Sequence, residues 1–143
     1  MPDRIEPFED DPYHDWSDHY TADRLDRKKL ERDYWNEAAL DPDVDIKYIS
    51  DISTEEMIEA LGEIPDDSVV LDIGCGVGRI LSVITGKNIA KYGIDISKRM
   101  LTIARDRHPY NFYIENDGET IPFEDGLYTF VYSMLVFQHL KID

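Results

Sequence analysis

The stretch Val69-Val70-Leu71-Asp72-Ile73-Gly74-Cys75-Gly76-Val77-Gly78-Arg79-Ile80 decides the fold. Val69 to Ile73 is short, β-branched and apolar, the composition of a strand buried on both faces. Three glycines then fall at alternate positions. From Arg79, the residues Ile80, Leu81, Val83 and Ile84 suit a buried helix, with Gly86 as its stop. A strand, a tight glycine turn and a helix in succession let a ligand approach bare backbone amides at a helix N-terminus. The plain alternative is a glycine turn that binds nothing.

Upstream, Pro65-Asp66-Asp67-Ser68 is a turn feeding this strand. Before it, Ser53 or Thr54 caps a helix with acids in its first turn. Met57, Ile58 and Leu61 face inward, and Gly62 ends the helix. Ile46 to Asp51 is an apolar patch. Ala22 to Leu40 is a further helix, with Leu25, Lys29, Arg32 and Trp35-Asn36 at helical spacing and Asp41-Pro42 as its end. Residues 1–12 carry Pro2, Pro7 and Pro12 and few aliphatics, the composition of a mobile tail. Tyr13, His14, Trp16, His19 and Tyr20 follow as an aromatic cluster, either a lid over a ligand or a pin holding the tail to the core.

Downstream, Lys91 to Ile96 is a second short strand, with the carboxylate of Asp95 near its end. Ser97 caps a helix whose inner face is Met100, Ile103 and Ala104, closed by His108-Pro109. Asn111 to Glu115 reads as a third strand, Asn116 to Gly126 as a loop, and Leu127 to Val136 as a fourth strand, after which Phe137 to Leu140 begins a turn or helix. Strands alternating with helices predict an α/β protein with a doubly wound, mostly parallel sheet.

The bulk properties bound the function. One domain is the expectation for 143 residues, and 42% apolar content suffices for one sizeable core. The formal net charge of −16 argues against nucleic-acid and anionic-membrane partners. Residues 1–45 hold fifteen acids and six bases, so this third is the more acidic part and reads as a tail and helix preceding the unit at 46–143. The single cysteine, Cys75, has no internal disulfide partner and reads as a small turn residue. No run approaches the ~18 apolar residues of a membrane span, and residues 1–6 lack the features of a signal peptide, so a cytoplasmic protein is expected. No metal-ligand set is expected.

In a doubly wound sheet a ligand lies across the carboxyl ends of the strands, near the point where strand order reverses. Gly74, Gly76, Gly78, Asp95 and Asn116-Asp117 all fall at predicted strand ends on that edge. Asp95 stands one βαβ step beyond the glycines, where an acid meets a ribose diol. Asp72 is costly inside a buried strand end unless turn amides or a bound cation pair it, which points to a ligand with positive charge near the glycines. The Gly-x-Gly-x-Gly spacing differs from the Gly-x-Gly-x-x-Gly of dinucleotide folds, and Asp72 would oppose a diphosphate. Both features count against a nicotinamide cofactor.

These residues resemble the class I S-adenosylmethionine-dependent methyltransferases, in particular the broad group acting on small molecules. The likeness runs from about Tyr34 to the C-terminus. It is strongest at Val70 to Arg79, continues at Tyr92 to Ser97, and includes Asn116 to Phe123 and Leu127 to Leu140. The resemblance implies a Rossmann-like fold and S-adenosylmethionine as cofactor, with S-adenosylhomocysteine as product. Gly74, Cys75, Gly76 and Gly78 would bring backbone to the methionine part, and Asp72 would organise that turn and favour the ammonium group. Asp95 would hold the ribose, with Ile96 and Met100 against the adenine. Asp117 would accept from the adenine amino group, with the Gly118 amide nearby, and Ser133 and Met134 would lie close to the sulfonium. Transfer needs alignment of acceptor, methyl and sulfur, and a general base only for a weak nucleophile. His139 and Gln138 would border the acceptor; His139 is the candidate base, and His14 and His19 would reach it only from a folded-over N-terminal segment.

The family sheet has seven strands, whereas four are legible here. A fragment, a homodimer formed through the exposed edge of the fourth strand, and a natural half-domain each account for this. The leading expectation is methyl transfer to a small-molecule acceptor. The rival is a non-catalytic module that retains the nucleoside site.

Overall fold

The computed structural model describes residues 24–44 and 53–134. The expectations for the aromatic cluster at 13–20, the patch at 46–51 and the segment 137–140 lie outside these residues, as do those for His14, His19, Gln138 and His139.

Helix α1 spans Arg24–Ala38 and α2 spans Thr54–Leu61. They are followed by β1 (Val69–Ile73), α3 (Arg79–Val83), β2 (Ala90–Asp95), α4 (Lys98–Arg107), β3 (Phe112–Glu115) and β4 (Phe130–Ser133). The four strands form one sheet in the order β3-β2-β1-β4, and every neighbouring pair is parallel. The chain steps from β1 outward to β2 and β3, then returns past β1 to lay down β4. Strand order therefore reverses between β1 and β4. The predicted α/β, Rossmann-like parallel sheet is present.

The steps from β1 to β2 and from β2 to β3 run in the same direction, and α3 and α4 pack on one face of the sheet, as the right-handed rule for parallel crossovers requires. There Val70, Ile80, Leu81, Ile84, Leu101, Ala104, Tyr113 and Tyr132 form the main core. Leu71, Ile73 and Ile94 point to the opposite face, joined by Tyr92, Ile114 and Tyr128. Strand β1 is the centre of both layers because its alternate residues feed each one.

Several ends differ from the sequence reading. Helix α3 stops at Val83, since Ile84 is extended (φ −66°, ψ 122°) and turns its side chain into the core. Strand β4 begins at Phe130. The Leu127 amide instead donates to the Glu124 carbonyl in a turn, while Thr129 reaches across to Val69. Helix α1 buries Arg27, Glu31, Tyr34 and Ala38, and Lys29 is exposed. The predicted stripe through Lys29 is thus rotated, because polar side chains occupy part of the buried face. Helix α2 carries the expected cap: the Ser53 hydroxyl accepts from the Glu56 amide and the Glu56 carboxylate accepts from the Ser53 amide. Among the described residues no helix is long and apolar enough to cross a membrane.

Candidate functional site

The site is built at the carboxyl ends of β1 and β2. After Ile73 the chain must turn sharply into α3, and Gly74, Gly76 and Gly78 take φ values of 78°, 55° and 81°. L side chains rarely adopt that region, which explains three glycines at alternate positions. The Gly74 and Cys75 amides donate to the Ile94 carbonyl at 2.8 and 3.0 Å, tying the turn to β2. The Gly76 amide donates to Asp95 Oδ2 at 2.9 Å, and the Ser97 amide to Asp95 Oδ1 at 2.9 Å. Asp95 is thereby locked against the turn. A carboxylate offers about four acceptor positions, and with the Ile96 amide also bonded to Asp95 one remains for a ligand. Burial raises its pKa, and the bonds from the Ser97, Gly76 and Ile96 amides oppose that rise.

The glycines differ in purpose. A Cβ on Gly76 would meet nothing within 4 Å, so open space adjoins the backbone there. A Cβ on Gly78 would lie 2.9 Å from the Tyr113 hydroxyl oxygen, which gives buried Gly78 a packing role. Gly93, overlooked in the sequence, matters for a similar reason. A Cβ there would come within 2.6 Å of Cys75 Sγ, so β2 leaves room for the cysteine under the turn. Burial, with Asp95 and Asp72 nearby, pushes the Cys75 thiol well up, which suits a packed turn residue and not a nucleophile.

Asp72 is 4% exposed. The partner that the structure provides is neither a turn amide nor a cation. It is the Tyr132 hydroxyl, which donates to Asp72 Oδ2 at 3.0 Å. Tyr132 stands opposite Asp72 in the parallel register of β1 and β4, so the two side chains share a face. Sequence reasoning missed this residue, although once β4 lies beside β1 the period-two alternation places it there. Burial pushes the Asp72 carboxyl up to about 7; the Tyr132 bond works against that rise and the charge of Asp95 adds to it.

The other predicted residues distribute unevenly. Ser133, half-buried at the end of β4, donates through Oγ to the Ile73 carbonyl at 2.9 Å and so stands beside the turn. Ile96 is half-buried just beyond β2, and Met134 is half-buried against the main core. Met100 is only 4% exposed and packs with Ala38, Ala39, Val44 and Val77, a cluster joining the end of α1 to the glycine turn. Asp117 lies in the loop after β3, which turns at Gly118 (φ 78°). The Gly118 amide donates to Asn116 Oδ1 at 2.7 Å, so that amide is already engaged. Asp117 Oδ1 accepts from the Glu119 amide at 2.9 Å, and Oδ2 pairs with Lys28 of α1 at 2.7 Å. Burial alone would raise this carboxyl; the Lys28 bond and the Glu119 and Thr120 amides bring it below its ordinary value.

The bare amides expected in the turn are engaged within the protein at Gly74, Cys75, Gly76 and Gly78. What meets a ligand is instead the buried Asp72 carboxylate beside the turn and the Asp95 carboxylate clamped at the next strand end, which suit a ligand with a cationic portion and a cis-diol. The residues present therefore fit a sulfonium nucleoside. Among the described residues no group of three or more His, Cys, Asp or Glu is arranged to hold a metal ion.

Comparison with known proteins agrees with this geometry. A family model described as "Methyltransferase domain" matches residues 71–143, half of the chain. The chain is 37% identical over 71 residues to the malonyl-[acyl-carrier protein] O-methyltransferase of Pectobacterium atrosepticum, covering 48% of this chain and 27% of that protein. It is 32% identical over 83 residues to a tRNA (carboxymethyluridine(34)-5-O)-methyltransferase of Xenopus tropicalis, covering 58% of this chain and 13% of the other. The chain thus spans about a quarter or less of these relatives. Among solved structures, magnesium protoporphyrin IX methyltransferase from Synechocystis with bound S-adenosylmethionine superposes with a TM-score of 0.62 at 23% identity, over 85% of this chain and 67% of that one, a likeness of fold. The matching family model and the turn, sheet order and strand-end acids together place the chain in the class I S-adenosylmethionine-dependent methyltransferase family.

Proposed function

We propose that this chain is the cofactor-binding part of a methyltransferase that moves a methyl group from S-adenosylmethionine to a small-molecule acceptor. The observation that carries this reading is the Asp95 carboxylate, fixed by the Gly76 and Ser97 amides beside a turn whose Gly76 faces open space. In this reading Asp95 accepts from a ribose hydroxyl with its remaining acceptor position. Gly74, Cys75 and Gly76 lie along the methionine part, and Asp72 provides negative charge for its ammonium. Ile96 lies against the adenine and Asp117 accepts from its amino group. Ser133 borders the sulfur. When bound, the sulfonium supplies an activated methyl group and a good leaving group. The protein's task is then to hold the acceptor in line with the sulfur–methyl bond.

Helix α1 frames the cofactor edge of this unit. The outer edge of β4 is where further strands of the family sheet would pair or, in the alternative, where a second copy would form a homodimer. The name of the Pectobacterium relative, with its acyl-carrier-bound acceptor, supports a small acid or its thioester conjugate as substrate class. The name of the Xenopus relative supports a second reading, tRNA, which the net charge of −16 opposes. The test is transfer from methyl-labelled S-adenosylmethionine to a panel of small carboxylic acids and thioesters, with bulk tRNA as the competing acceptor. Label in the small-molecule fraction is expected. Label in tRNA alone would overturn the acceptor class.

A further inference from the structure

Lys28 sits on α1, 89 residues before Asp117 in sequence, yet its ammonium lies between two carboxylates of the loop after β3. It is 2.7 Å from Asp117 Oδ2 and 2.8 Å from Glu119 Oε2, with all three side chains less than a third exposed. Two like charges two residues apart repel, and a single cation between them holds the loop closed. The loop carries its own turn bonds as well: Gly118 amide to Asn116 Oδ1, and Asn116 Nδ2 to the Thr120 carbonyl at 2.7 Å. Lys28 adds the link to a separate element.

The far end of α1 is fastened to the neighbouring strand end. Asn36 lies eight residues beyond Lys28, about 12 Å along the helix. Its Oδ1 accepts from the Ser97 hydroxyl at 2.7 Å and from the Arg99 amide at 3.3 Å, and its carbonyl accepts from the Arg99 guanidinium at 3.2 Å. Ser97 in turn accepts from the Met100 amide to cap α4, and its own amide holds Asp95. Ala38 and Ala39 pack with Val77 of the glycine turn. One helix therefore touches the turn, the Asp95 loop and the Asp117 loop.

We propose that Lys28 is a positioning residue of the adenine end of the site, acting through Asp117 and Glu119 to hold the loop after β3 in its ligand-ready form. This rests on the reading above that Asp117 meets the adenine amino group. Lys28 offsets part of the pair's charge and fixes Asp117 while leaving it acceptor capacity, since the Lys28 ammonium and the Glu119 and Thr120 amides use three of its about four positions. Cofactor binding is thereby tied to α1 and weakened by salt.

The test compares the wild-type chain with Lys28→Met, which keeps the apolar stem, and Lys28→Arg, which keeps the charge. Titration calorimetry uses S-adenosylhomocysteine and S-inosylhomocysteine, which lacks the amino group. The wild type should prefer the adenosyl compound. Lys28→Met should weaken the adenosyl compound about tenfold and the inosyl compound much less, so that the preference collapses; Lys28→Arg should restore it. A merely structural role would weaken both ligands alike. An unchanged preference in Lys28→Met overturns the proposal. Amide exchange of residues 117–120 in ligand-free protein decides the link to α1 even if neither nucleoside binds, a result that would refute the cofactor reading itself. Exchange there should quicken about tenfold in Lys28→Met and in high salt; equal exchange in wild type and variant overturns the link.

Discussion

Replacing Asp72 by asparagine should stabilise the ligand-free protein at neutral pH. The wild-type carboxyl is 4% exposed, and burial with Asp95 nearby lifts it to about 7 from an ordinary value of 3.8. Between those values the folded state keeps a proton that the unfolded chain releases. Stability due to this group therefore falls as pH rises through the window, and the full cost is present above pH 7. About three pH units correspond to about 4 kcal/mol. Asparagine is nearly isosteric, carries no charge at any pH and keeps an oxygen for the Tyr132 hydroxyl. Urea unfolding of both proteins at about pH 5.5 and about pH 8 measures the effect. The advantage of Asp72→Asn should be larger at the higher pH by about 2 kcal/mol, the part of the window that lies above pH 5.5. Glu31, also lifted to about 7 by burial, titrates in both proteins and cancels in the difference. An identical difference at both pH values would refute the reasoning. The same substitution should weaken S-adenosylhomocysteine binding by about tenfold, a loss of about 1.4 kcal/mol, because the ammonium loses its counter-charge. Asp72 is then a destabilising residue retained for its ligand.

Other consequences are equally direct. Gly78→Ala should cost about 2–4 kcal/mol in thermal or urea unfolding, since backbone strain at φ 81° adds to the clash with Tyr113, whereas Gly76→Ala, with only backbone strain, should cost about 1–2 kcal/mol. Ser97→Ala removes the α4 cap and the bond to Asn36 from a fully buried position, and a loss of about 1–3 kcal/mol is expected by the same measurement. Cys75, buried and with its thiol pushed up, should resist iodoacetamide at pH 8 in native buffer and react fully in urea, as mass spectrometry would record; fast native labelling would contradict the packing described.

What was legible in the sequence follows from range. The limits of β1 could be read directly because its apolar run ends at the first glycine, and the Ser53 cap and Gly62 stop of α2 are local signals. Asp95 at the end of β2 and Asp117 beyond β3 come to one edge because a parallel sheet must do so. The pairings of those acids were hidden. Tyr132 reaches Asp72 across 60 residues and Lys28 reaches Asp117 across 89, and neither contact exists until strand order and helix docking are known. The inner face of α1 was misread because Arg27 and Glu31 are buried, against the ordinary preference of charged residues. Leu127 to Thr129 looked like strand because the apolar signal there is continuous, and a turn closed by Glu124 and Leu127 outweighed it.

The central claim is that the glycine turn and Asp95 form a site for a sulfonium nucleoside. Titration calorimetry of the whole chain with S-adenosylhomocysteine, repeated on Asp95→Ala, tests it most directly. The account predicts one-to-one binding by the wild type and a loss of at least about tenfold in the variant, with no heat from NAD. Absence of binding by the wild type, or equal affinity in Asp95→Ala, would contradict it.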